Sequence, residues 1–128
     1  MARRYLGRGG LALADGSIQT GPIQDLATTS TATTINPYGV TRIGSTAAKS
    51  FRIGTPINGM HKWLFCDQST TVVIKIIAST GGTIDFLTTA GGKEVLQFNN
   101  DGESAHLIGS GTTSWMVISH IGAAYSTS

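Results

Sequence analysis

At 128 residues the chain is long enough for one domain that buries about two-thirds of its unfolded surface. Only 12% of positions are charged, 40% are apolar and the net charge is +2, which excludes a disordered, highly charged chain. The same balance argues against a specific nucleic-acid interface, which is far more positive, and predicts a surface partly covered by identical copies or by a larger assembly.

Residues 1–22 carry Arg3, Arg4 and Arg8 among glycines and show no sustained apolar alternation. They read as an extended N-terminal arm with little structure of its own. Tyr5, Leu6, Leu11, Leu13 and Ile18 give this arm anchors that a purely solvating tail lacks, so it is expected to order on contact with another surface. Leu11–Ala14 is interrupted too soon by Asp15 and Gly16 for a secretory signal, and no run approaches the ~20 apolar residues of a membrane span.

Residues 23–128 read as a single β domain. Ile23–Ile35 is Thr-rich and reads either as a low-complexity linker or, from the Thr alternation ending in Ile35, as an edge strand, and Asn36-Pro37-Tyr38-Gly39 is a strong turn. Val40–Ile43 and Ser50–Ile53 are short strands, with one helical turn at most over Thr46–Ser50. A turn at Asn58-Gly59 leads into a strand over His61–Cys66. Val72–Ile77 is apolar apart from Lys75 and is expected to be a central strand covered on both faces. Ile84–Leu87, Val95–Phe98, Ala105–Ile108 and Trp115–Ile118 follow as strands. They are separated by Gly91-Gly92, by the turn Asn99-Asn100-Asp101-Gly102, and by Gly109-Ser110-Gly111, read as a hairpin turn with glycines at positive φ. The expected fold is an all-β antiparallel sandwich or barrel, jelly-roll-like, of about eight or nine strands. No period of 20–50 residues repeats, so a solenoid is not expected.

Chemistry is sparse in this sequence. Cys66 is alone, which rules out an intramolecular disulfide, and it reads as a buried, inert thiol. His61, His106 and His120 lack the spacing that places imidazoles on one metal and read as isolated strand positions. Asp101 caps its own turn; a calcium loop at Asn99, Asn100, Asp101 and Glu103 lacks the spacing of an EF-hand. No serine sits in a nucleophile elbow, and Gly7, Gly9 and Gly10 precede any strand, against a dinucleotide loop. The expectation is a protein without enzymatic activity, metal or cofactor.

Gly102–Gly109 (GESAHLIG), followed by Thr112–Ile118 (TTSWMVI), resembles a pattern in bacteriophage virion proteins. Ile35–Gly44 (INPYGVTRIG) and Thr55–Lys62 (TPINGMHK) resemble segments of small capsid-decorating, head-associated proteins of tailed phages. The resemblance covers about residues 35 to 122 and implies a decoration, or cement, protein. Such a protein is made in the host cytoplasm and sits on the outer surface of the phage head as a homotrimer, bound non-covalently to the major capsid protein. In that reading Arg3, Arg4, Tyr5, Leu6, Arg8, Leu11 and Leu13 dock on the capsid. The alternative is a tail-fibre or receptor-binding module in which Tyr38, Trp63 and Tyr125 stack on sugar faces.

Overall fold

The computed structural model describes residues 23–27, 32–68, 71–78, 85–88 and 91–126; the arm expected over residues 1–22 lies outside them. The described residues form strands and turns without a helix, so Thr46–Ser50 makes no helical turn. The first six strands are β1 (Gln24–Leu26), β2 (Thr34–Ile35), β3 (Gly39–Ile43), β4 (Lys49–Ile53), β5 (His61–Cys66) and β6 (Ile74–Ile77). The second six are β7 (Asp85–Thr88), β8 (Gly91–Lys93), β9 (Val95–Phe98), β10 (Ser104–Ser110), β11 (Ser114–Ile121) and β12 (Ala124–Ser126). They form a seven-stranded sheet in the order β1-β3-β5-β10-β11-β7-β8 and a five-stranded sheet in the order β12-β9-β6-β4-β2.

The all-β expectation holds, but strand direction differs from it. β1, β3 and β5 are parallel neighbours in one sheet, and β2, β4 and β6 are parallel neighbours in the other. The chain therefore crosses from sheet to sheet after each of these strands, winding as a short two-sided coil. Gln24 lies beside Thr41 and Thr41 beside Leu64, so successive turns differ in length. A solenoid-like winding is present here without the constant period that would reveal it in sequence. β9, β10 and β12 pair antiparallel with their neighbours and close the coil with antiparallel strands, while β7 runs parallel to β11. Both sheets are thus mixed rather than antiparallel.

Alternation explains which residues face inward. β5 buries Lys62, Leu64 and Cys66, and β10 buries Ala105, Leu107 and Gly109. β4 buries Phe51 and Ile53, and β6 buries Ile74 and Ile76. The apolar side chains among these, with Phe86, Leu96, Phe98 and Trp115, belong to one core cluster. β6 is central in its sheet as expected, yet Lys75 is exposed and only one face of the strand is covered. Three short strands escape the sequence reading: β1 is separate from the edge strand ending at Ile35, β8 contains the expected turn at Gly91-Gly92, and β12 returns beside β9.

The hairpin turn also sits later than expected. Gly109 and Ser110 belong to β10, and the turn spans residues 111–113 with Gly111 at φ 72°. Gly109 serves close approach instead: a Cβ there would collide with the Ile57 carbonyl. The 57–60 loop lies against it, Gly109 N–H donating to Met60 O at 3.0 Å and Gly59 N–H donating to Gly109 O at 2.8 Å. Gly109→Ala is therefore expected to lower stability by about 1–3 kcal/mol through overpacking, read as a lower urea midpoint. Gly111→Asn, at an open left-handed position, should leave that midpoint nearly unchanged.

Candidate functional site: the outer face of the seven-stranded sheet

Two rows of outward side chains cross this face. In the first, Val40 lies beside Trp63, Trp63 opposite His106 and His106 opposite Ser119, with Ile23 one residue before β1 at the near end. In the second, Asp25, Arg42, Phe65, Ser104 and Ile121 follow one another across the same five strands. Small Ser104 and Ser119 between bulky neighbours leave a groove of about 640 Å³ lined by residues of both rows. Ile23, Phe65 and Ile121 at its walls are 59%, 44% and 69% exposed. Beyond the groove, Leu87, Met116 and Ile118 continue the exposed apolar surface on β7 and β11. A β-bulge between Val117 and Ser119 leaves Ile118 unpaired, and the phase shift it introduces brings Ser119 and Ile121 onto the groove side of β11.

The histidines read as isolated prove partly assembled. Antiparallel pairing of β5 with β10 brings His61 Nδ1 to 2.7 Å from His106 Nε2, where one ring nitrogen donates to the other. Trp63 stacks on His106 at 4.7 Å with rings 7° from parallel, and His61 stacks on both. Partial burial, and then the neighbouring His61, hold the His106 imidazole below its ordinary pKa. His120 stands apart, edge-on to Tyr125. Among the described residues no group of three His, Cys, Asp or Glu side chains is placed to hold a metal ion.

At the near end Arg42 pairs with Asp25 at 2.5 Å and with Asp67 at 3.3 Å. The hydrogen bond from Arg42 holds the exposed Asp25 carboxyl below the usual range. The acidic turn is organised differently from the expectation. Asp101 accepts from the Gln68 N–H across the sheet end, and buried Glu103 ties the turn, accepting from Asn99 N–H and from the Asn100 side-chain amide. Both carboxylates are thereby engaged in holding backbone. Cys66 is buried as expected, and burial, reinforced by Glu103, Asp101 and Asp67, pushes its thiol up to about 12.

Beneath the groove lies a residue that the sequence reading counted only among the charges. Lys62 is 0% exposed, and its ammonium donates to Tyr38 O and to the Thr41 hydroxyl. Thr41 in turn donates to Gln24 Oε1, which also accepts from Asn36 N–H. Desolvation lowers the Lys62 pKa to about 7. No sequence signal separates this lysine from a surface one, because the two neighbours that receive it are set by strand pairing.

Of the three aromatics expected to stack on sugars, only Trp63 lines the groove; Tyr38 lies ahead of β3 and Tyr125 on the other sheet. The docking residues Arg3, Arg4, Tyr5, Leu6, Arg8, Leu11 and Leu13 fall outside the described residues. Among known proteins, no family model and no curated protein matches this sequence.

Lys62 and Cys66 make opposite contributions to the pH dependence of stability. Folding lowers the Lys62 pKa, so between about pH 7 and its ordinary value of 10.5 the unfolded chain holds more protons and stability rises with pH. Folding raises the Cys66 pKa from 9.0 to about 12, so above pH 9 the unfolded thiol ionises first and stability falls. The urea midpoint is therefore expected to rise from pH 7 to pH 9, and Lys62→Met should flatten that rise.

Proposed function

We propose that this chain is a structural protein of a virion: a capsid decoration protein that binds and stabilises the head shell as a symmetric homo-oligomer, without catalysis or cofactor. The observation that carries the assembly reading is the outer face of the seven-stranded sheet, where Phe65, Leu87, Met116, Ile118 and Ile121 stand exposed on one side of a weakly charged domain. A patch of this kind marks an interaction surface, and closed symmetry is the usual way for identical chains to bury one. The capsid as partner rests on the sequence resemblance over residues 35 to 122. Many copies bridging adjacent subunits would stabilise a shell through mass action and multivalency.

Sedimentation velocity of the full chain tests the assembly reading. A species near three times the 13.3 kDa chain mass is expected, shifting toward monomer in Met116→Glu/Ile118→Glu; a monomer at every concentration would overturn it. Antibody labelling of intact virions tests the location, with signal expected over the head and not the tail.

One observation favours a second reading, a receptor-binding module: Trp63 lines a groove, its indole stacked with His106 and His61, and an aromatic ring in a groove is a surface on which a sugar ring can stack. Glycan-array binding that disappears in Trp63→Ala would support that module over the decoration role.

A further inference from the structure

His61 Nδ1 and His106 Nε2 meet at 2.7 Å. A neutral imidazole has one donor and one acceptor nitrogen, so this contact holds a single proton. One proton more, taken up by the outer nitrogen of the donor ring, leaves the contact intact, because the cation then donates to its neutral partner. A second makes both facing nitrogens donors and sets two cations at hydrogen-bond distance. The contact cannot survive in that state, so the pair takes up its two protons in separate steps.

The neighbouring elements bring no counter-charge to the pair. On β3, Val40 lies beside Trp63, and Arg42, one row further, is held by Asp25 of β1 and by Asp67 just past β5. Tyr38, one residue before β3, is the titratable group nearest His61 in that register. On β11, Ser119 stands opposite His106 and Met116 opposite Ile108, while His120 meets Tyr125 edge-on. The 57–60 loop carries only uncharged side chains, and Lys62 enters the opposite side of β5. A doubly charged pair would stand here unneutralised.

The pair also fixes its surroundings. Trp63 lies against His106 at 4.7 Å with its ring 7° from parallel, and His61 directly follows the loop whose Gly59 and Met60 bond Gly109. We propose that His61 and His106 form an acid-sensitive latch on the outer face of the seven-stranded sheet. It is closed while the pair carries at most one added proton. It opens when both rings are charged, His61 turning to water and Trp63 losing its fixed place. This goes beyond the assembly reading and depends neither on a capsid nor on what meets the face. Partial burial, and then His61, already hold His106 below its ordinary value of 6.5, so opening falls on the acid side of that value. The unfolded chain binds protons more readily there, and stability falls as pH drops through 6.5.

Heteronuclear NMR of the full chain from about pH 7 to about pH 4 tests the latch: imidazole signals follow protonation and the Trp63 indole signal follows opening. His106 is expected to titrate below 6.5 and the Trp63 signal to move with it, while buried Trp115 stays in place as a witness of the fold. His61→Gln keeps a neutral hydrogen-bonding partner beside His106 and removes the second charge. In that variant the His106 midpoint should rise toward 6.5 and the Trp63 shift should shrink at least about twofold. Neither histidine belongs to the core cluster, so the variant is expected to fold. An unchanged His106 midpoint in His61→Gln would show two independent rings and overturn the proposal. So would a Trp63 signal that ignores the His106 titration, or one that moves only together with Trp115, the mark of general acid unfolding.

Discussion

The register between β5 and β10 is the constraint on which the remainder of the molecule rests. β5 ends the winding on one sheet and β10 begins the C-terminal hairpin, so their pairing joins the two halves of the chain. Trp63 opposite His106 and Leu64 opposite Ala105 place every second residue of both strands in the core. A slip of one residue would turn His61, Trp63 and Phe65 inward and Leu64 and Cys66 outward. Several contacts hold the alignment at its ends. Cys66 N–H donates to Glu103 O and Gly102 N–H to Cys66 O at one end, while Gly59 and Met60 meet Gly109 at the other.

The same register explains the buried amine. Inward phase on β5 obliges Lys62 to enter the core, where an unsatisfied charge would be costly. Its partners, Tyr38 O and the Thr41 hydroxyl, come from the parallel neighbour β3 and the residue before it. Gln24 extends the set by accepting from Thr41 and Asn36 while donating to Thr34 O. Four segments meet in this polar cluster, so displacing any of the first three strands leaves a buried group unpaired. Above it, on the outward side of the same strands, the Trp63–His106–His61 stack gives the groove a rigid wall, and the two features share one backbone.

Legibility in the sequence followed physical locality. His61–Cys66 and Val95–Phe98 were readable to the residue because turn signals bound an apolar pattern of strand length. The turn at Asn58-Gly59 and the buried Cys66 were readable for the same reason. Parallel pairing was not, since nothing in Val40–Ile43 reveals that its neighbour lies beyond an excursion to the opposite sheet. β8, with two glycines in three residues, carries no strand propensity at all and exists because β7 offers it an edge. The groove was invisible for a related reason: Ile23, Trp63, His106 and Ile121 are far apart in sequence and share a surface only through four successive pairings. Lys62 and Lys75 look alike on paper, each a single lysine within a strand, yet phase alone sends one inward and the other to water.

The two-sided winding of the first six strands has a consequence for how this protein comes into being. None of the neighbours β1–β3–β5 or β2–β4–β6 is joined by a tight hairpin, so each contact requires closing a loop of 17 residues or more, as from Gln24 to Thr41, before any reward arrives. Only β7–β8 and β10–β11 are local. During synthesis the amino-terminal half emerges first but waits for β9 and β10, the strands that cap its open sheet edges. Nucleation accordingly falls to the β10–β11 hairpin, and the nascent coil spends that interval with unpaired strand edges exposed, the period in which a ribosome-associated chaperone matters most.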